Sequence, residues 1–408
     1  MRAYADELDW DSFATFLNPC ATEPLFPNLR ILDCYHAPLA MDTHFPSLIS
    51  LTVNMDFECE GGRDMFLDSF ESFSQLSPHI RTLAVSASQH DVASSNRLSG
   101  CVCRWQNLQI VDCGYTTLDL DALAHLFRLP ALGELTFQLA PTLLEQMTTF
   151  DSSLVFPALH DLTLYSEFLG PISHLFSRIR LPAITALDIF IGHSPSKQDV
   201  TFFFSSVQTC GSSHTIQVLQ LEQEVPWDEM IVAEDPVPVL GLEDLRSCMA
   251  FGNLQRIDLN LKWDVELTDN ELLTLASAWP HVEELFINSD WGWNTQGGIT
   301  PNGLLQLLRI CPSLHRIAIA IDTRGYTEHA QSPASLGLTL PPRFFVDILD
   351  SVIEEEAVPA IATFFASIRS RPQLSWRPPR VKSPDFKVYW ERWNDVSNRF
   401  RNAVYRRS

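Results

Sequence analysis

Cys101 and Cys103, eleven and thirteen residues after His90, invite a metal-ligand reading. A C-x-C pair with one histidine offers three ligands, whereas structural zinc takes four at regular spacing. No metal is therefore expected. The nine cysteines are an odd number without framework spacing, and Cys34, Cys113 and Cys311 fall at apolar positions. The twelve histidines are dispersed, some inside helix patterns (His125, His174) and some just before strand patterns (His79, His281). There is no G-x-x-x-x-G-K-[ST] or G-x-G-x-x-G to cradle a phosphate, and no G-x-S-x-G or H-E-x-x-H. Neither a cofactor nor a catalytic centre is expected, and the chain reads as a non-enzyme. A site assembled in space from the abundant Ser, His and Asp is the reading from the opposite class.

The side chains that do show a pattern are carboxylates, and the pattern depends on the elements that carry them. The stretch Trp279 to Asp322 holds a short strand pattern, a loop, an amphipathic helix and the strand pattern again. Val282, Leu285 and Ile287 recur as Leu314, Ile317 and Ile319, 32 residues on, each set preceded by a proline (Pro280, Pro312). Thr300 and Pro301 read as an N-cap and first-turn residue, and Thr268 to Glu271 as a capping box. The template P-x-L-x-x-L-x-L begins at Leu29, Leu48, Ile80, Leu108, Leu132, Leu159, Ile184, Ile216, Leu254, Val282 and Leu314, eleven copies at spacings of 19 to 38 residues. One unit cannot bury its apolar face alone, so the units must stack. The pattern predicts an α/β fold: a leucine-rich-repeat solenoid or horseshoe of eleven or twelve short parallel strands on the concave side, with helices outside. The asparagine or cysteine that usually follows the motif is replaced by Ala37, Asp56, Thr116, Ala140, Glu167 and Gly192. Irregular repeats without an asparagine ladder are expected.

In such strands the residues around the second aliphatic position face away from the core. Those positions carry Asp33, Asp112, Glu134, Asp161, Asp188, Glu222, Asp258 and Glu284, opposed only by Arg256 and Arg316. They also supply Tyr35, Tyr165, Phe190 and Phe286. The bland reading is a solvated face on a protein of net charge −22. The functional reading is a binding face for a protein with a basic segment; nucleic acid would be repelled. Trp291 and Trp293, in a Gly-containing loop, are either pinned onto the solenoid rim, the more frequent arrangement, or offered to a ligand as the favoured exposed anchor.

Residues 1–25 predict a capping helix (Trp10, Phe13, Phe16, Leu17), with a docking helix as the other reading; 26–376 are the solenoid. Ser86 to Arg104 is polar and reads as an exposed loop, and Glu222 to Val239 as an acidic insertion, either solvated or partner-binding. The tail 377–408 reads as a basic amphipathic helix (Tyr389, Trp393, Val396, Phe400). From Ala366 onward eleven Lys or Arg face three acids, and a cap docked on its own acidic body is favoured over a membrane or nucleic-acid role. Without a positively charged leader or an 18-residue apolar run, a monomer in the cytoplasm or nucleus is expected.

LTDNELLTLASAWPHVEELFI, the WGW after it, and GITPNGLLQLLRICPSLHRIAIAID resemble the repeats of the large fungal F-box/leucine-rich-repeat proteins, and VYWERWNDV resembles their tail. The resemblance runs from about Phe26 to the C-terminus. In that family the repeats bind substrates, and an N-terminal F-box joins them to a cullin-type ubiquitin ligase through a linker subunit. MRAYADELDWDSFATFLNPC does not match an F-box. The resemblance implies the substrate-recognition part of a ubiquitin-ligase adaptor, with the linker subunit as partner only if an F-box lies upstream. A stand-alone scaffold or competitor without any ligase is the alternative.

Overall fold

A β-turn opens the repeat. The Cys311 carbonyl accepts from Leu314 N at 3.2 Å around Pro312, Trp279 from Val282 at 3.1 Å around Pro280, and Phe45 from Leu48 at 3.2 Å around Pro46. Proline suits the second turn position because its φ is already fixed there and no N–H is needed. The first apolar residue then enters the core: across all eleven copies it is at most 4% exposed. Burying one such Leu or Ile contributes about 1.5–3 kcal/mol.

The computed structural model describes residues 2–4, 26–34, 45–54, 67–86 apart from 69 and 72, 92–140, 143, 154–224 apart from 212, 237–294, 298–326, 344–368, 372–377 and 386–405. It divides into two units, Met1–Glu167 with Pro171–Thr185 and Thr209–Ser212, and Phe168–Gly170 with Ala186–Gln208 and Ser213–Ser408. The first unit contains β1 (Arg2–Tyr4), β2 (Ile31–Cys34), β3 (Ser50–Asn54), β4 (Thr82–Ser86), β5 (Ile110–Thr117), β6 (Glu134–Gln138) and β7 (Asp161–Ser166). Each pairs in parallel with the next in sequence. The second contains β8 (Ala186–Ile191), β9 (Val218–Gln223), β10 (Arg256–Asn260), β11 (Glu284–Ile287), β12 (Arg316–Ala318), β13 (Phe345–Asp347) and β14 (Gln373–Ser375). These too pair in parallel and in order. Both units are α/β leucine-rich-repeat solenoids, and all eleven template copies lead into strands. β1 was not foreseen; the capping helix expected around Trp10 lies outside the described residues.

The helices are α1 (Val92–Val102), α2 (Leu120–Leu126), α3 (Leu169–Arg178), α4 (Lys197–Cys210), α5 (Asp269–Ala278), α6 (Pro301–Ile310), α7 (Val358–Ser367) and α8 (Phe386–Tyr405), besides short turns. α5 has its capping box, Thr268 N donating to Glu271 Oε2 at 2.8 Å. α6 starts at Thr300, whose hydroxyl accepts from Gly303 N. Asp269, in the first turn of α5, accepts from both the N–H and the hydroxyl of Thr300 at 2.7 Å, tying one outer helix to the next. α8 packs on α7: Trp393, Val396 and Phe400 are buried, and Trp393 Nε1 donates to Ser351 O at 2.8 Å.

Two expectations fail. The stretch read as a loop after Ser86 contains α1, whose Leu98, Cys101 and Val102 are fully buried. Its face is completed by the buried serines Ser94, Ser95 and Ser99, small enough to pack although polar by type. The second unit also has side-chain rungs between repeats. Asn288 Oδ1 accepts from Leu261 N at 3.0 Å and its Nδ2 donates to Trp263 O at 2.7 Å. Asn260 Oδ1 accepts from Asp290 N at 3.1 Å, and Gln223 Oε1 from Lys262 N at 2.9 Å. The asparagines sit two residues before the usual motif position, so a partial ladder exists.

Candidate partner-binding face

Strands β7, β8 and β9 alternate strictly between buried and half-buried residues. One sheet face is thus covered and the other open, and the expected strand residues from Asp112 onward lie on the open one; Asp33 is instead buried, 3% exposed, and Tyr35 lies outside the described residues. In the first unit Glu134 stands beside Asp161, and Asp112 beside Thr136 and Thr163. Asp112 and Glu134 are exposed and Asp161 is half-buried. Among the described residues none of the three has a Lys or Arg ion pair. Partial burial raises the Asp161 carboxyl above its ordinary range, with nearby His160 pulling the other way.

The alternation breaks in β5. Gly114 has φ +48°, the register with β6 shifts between Asp112 and Thr117, and Asp112 Oδ1 accepts from Gly114 N at 3.0 Å. A bulge of this kind re-aims the side chain after it. Here it turns Tyr115 onto the open face, 47% exposed, with its ring centroid 4.4 Å from that of Tyr165. Strict period-two counting missed Tyr115; the D-x-G stretch was the available signal for the turn.

In the second unit the register sets Arg256, Glu284 and Arg316 side by side, and next to them Gln220, Asp258 and Phe286. Glu284 Oε1 lies 3.1 Å from Arg316 Nη1 and 3.6 Å from His315 Nε2, and Oε2 lies 3.7 Å from Arg256 Nε. Arg256 Nη2 also reaches Asp258 Oδ2 at 3.1 Å. Both guanidiniums flank the Phe286 ring, at 5.2 Å for Arg316 and 5.9 Å for Arg256, which leaves Phe286 9% exposed. Further along, Arg377 pairs with Asp347 at 2.9 Å and Asp290 at 3.1 Å. Burial raises the carboxyls of Glu222, Asp258 and Asp347; Gln220, Arg256 and Arg377 respectively oppose it. Asp188 and Phe190 are half-buried on the same face. A cavity of about 540 Å³ lies beside His315, Arg316, Phe344, Phe345 and Gln373.

The acidic face foreseen from the sequence is therefore of two kinds. In the second unit Asp258, Glu284, Asp290 and Asp347 each have a guanidinium within 3.1 Å, whereas Glu222 accepts from the neutral Gln220 amide at 2.9 Å. In the first unit Asp112, Glu134 and Asp161 do not. Phe286 is clamped rather than offered. Trp291 and Trp293 are corrected outright: they are 5% and 0% exposed. Gly292 turns the chain at φ +73°, the Asp350 carboxylate accepts from Trp293 N and Asn294 N at 2.8 Å, and Trp293 Nε1 donates to Ile287 O at 2.9 Å. The loop is pinned inward, so neither ring is an exposed anchor.

Burial gives the Cys101 thiol a pKa of about 11, and His90 lies outside the described residues. No three His, Cys, Asp or Glu among the described residues are placed to hold a metal ion. No described helix is long and apolar enough to cross a membrane. The acidic insertion is described only up to Glu224 and from Val237 onward.

No family model matches the sequence, and no curated protein matches it. Solved structures similar to it include the leucine-rich-repeat protein LegL7 of Legionella pneumophila, at 11% identity and TM-score 0.34 over 92% of this chain and 97% of that one. The yeast Rad7–Elc1 complex matches at 14% identity and TM-score 0.37 over 77% of this chain and 80% of that one. A Bacteroides fragilis protein matches at 15% identity and TM-score 0.29 over 60% and 66%. The repeat architecture rests on this chain's own strand order and register.

Proposed function

We propose that this protein is a non-enzymatic recognition module that holds a protein partner with a basic segment on the open face of its sheets. The observation that carries the reading is that one face of each sheet is left open on rigid strands and bears carboxylates and aromatic rings, while the apolar residues are buried on the other. Charge there sets encounter rate and partner choice more than final affinity, and exposed aromatic area supplies the energy. The sequence resemblance favours the substrate-recognition part of a ubiquitin-ligase adaptor; binding of the purified linker subunit to the full protein separates this from a stand-alone scaffold. The reading takes the protein as a monomer in the cytoplasm or nucleus.

The test is site-specific photo-crosslinking. A benzophenone side chain is placed at Thr163 or Gln220 on the open face, and at Thr201 or Thr274 on outer helices. The reading expects the same protein to be captured through the strand positions and not through the helix positions. Capture through the helices alone would contradict it.

A further inference from the structure

The two open faces differ in what they have left to offer, and this narrows the chemistry of the partner. The inference rests on the reading of the open face as the binding face. In the second unit the carboxylates of β10 and β11 are matched by Arg256 and Arg316. A cation arriving there would have to displace an existing guanidinium. In the first unit Asp112, Glu134 and Asp161 lack such a partner among the described residues, and beside them the bulge at Gly114 holds Tyr115 out, its ring tilted at 47° against that of Tyr165 with centroids 4.4 Å apart. The core side of the same strand is filled by Val111, Cys113, Thr116 and Thr117, all buried, and Tyr115 is not among them.

We propose that the Tyr115–Tyr165 pair and the Asp112/Glu134/Asp161 carboxylates read two basic residues of an extended partner segment, the one on the tyrosines being arginine. A guanidinium is planar and weakly hydrated, so it lies flat on an aromatic ring at low desolvation cost, where an ammonium does so less well. Tyr165 and Asp161 are four residues apart on one strand and both face outward. At about 3.3 Å per residue that is about 13 Å, so an extended segment running along β7 presents its second cation about four residues from the arginine. Gln138, paired with Tyr165, and Thr136 and Thr163 between the two ends supply neutral polar contacts.

The experiment is selection of a displayed library of random dodecapeptides on the full-length protein, followed by affinity measurement of the enriched synthetic peptides. The expected result is enrichment of an arginine with a second basic residue about four positions away. Citrulline in place of that arginine, or Tyr115→Ala, should weaken binding about five- to tenfold, and Tyr115→Phe should retain it because the ring does the stacking. Circular dichroism checks that each variant is folded. Enriched peptides that lack arginine, or bind Tyr115→Ala as well as the native chain, overturn the inference. If those peptides are still blocked by Thr163→Arg, the open-face reading stands and only the tyrosine site falls. If Thr163→Arg leaves them bound, or no sequence is enriched, both fall.

Discussion

Glu284 and Arg316 face each other across β11 and β12, with Oε1 3.1 Å from Nη1, while the same guanidinium lies 5.2 Å from the Phe286 ring. The central carboxylate of the second unit's open face is thus committed within the fold. Glu284→Gln leaves two arginines against one ring without their shared anion. It should cost about 1–2 kcal/mol in urea denaturation, since a charge-assisted bond is lost at a partly screened site. A cationic partner held on the first unit's face should keep its affinity within about twofold, because exposed charge acts over only about 10 Å at 0.1 M salt.

Trp293 gives a second prediction of loss through stability rather than binding. It is fully buried and hydrogen-bonded to Ile287. Trp293→Ala should destabilise by about 3–5 kcal/mol, read from the denaturation midpoint. At a temperature where the variant is still folded, its partner affinity should equal that of the native protein.

These two sites also show where the sequence could and could not be read. The strands were legible because the buried aliphatics recur with period two and several are introduced by the same turn, as at Pro280 and Pro312. Which residues share the open face followed from that period, and Asp112, Asp161, Tyr165 and Phe286 are found there. Pairing across strands depends on residues far apart in sequence, so the Arg256–Glu284–Arg316 network was invisible, as was the ion pair of Arg377, from the basic tail region, with Asp347. Trp291 and Trp293 were misjudged because their burial depends on Asp350, more than fifty residues away. Tyr115 was missed because one bulge shifts the period.

The outer helices offer a test of repeat-to-repeat coupling. A methyl group at Gly303 would overlap the Asp269 carboxylate, which accepts both hydrogen bonds from Thr300. Gly303→Ala alone should cost about 1–3 kcal/mol, although alanine favours helix by about 1 kcal/mol. In an Asp269→Ala background the same substitution should become neutral or stabilising. Thermal denaturation of the four proteins in this cycle measures the coupling.

Glu222 predicts a pH-dependent effect. Burial raises its carboxyl, and Asp290, Asp258 and Glu224 push in the same direction. A raised carboxyl means the folded chain holds its proton to higher pH than the unfolded chain does. Stability therefore falls as pH rises from the ordinary carboxylate range through the raised value. Glu222→Gln should raise the melting temperature at pH 7.5 and leave it unchanged at pH 4, where Glu222 is protonated in the folded chain.

The most direct test of an open-face site on the first unit is the salt dependence of partner association, by stopped flow between 50 and 300 mM salt. The partner is the protein captured by crosslinking. Asp112→Asn/Glu134→Gln/Asp161→Asn keeps the Gly114 turn, since an asparagine oxygen can accept the same hydrogen bond. Exposed charges are screened over about 10 Å at 0.1 M salt, so removing the exposed Asp112 and Glu134 and the half-buried Asp161 should slow association at low salt and flatten its salt dependence. Asp258→Asn/Glu284→Gln in the second unit should leave the slope near that of the native protein. An unchanged slope in the first variant, with a flattened slope in the second, would contradict the account.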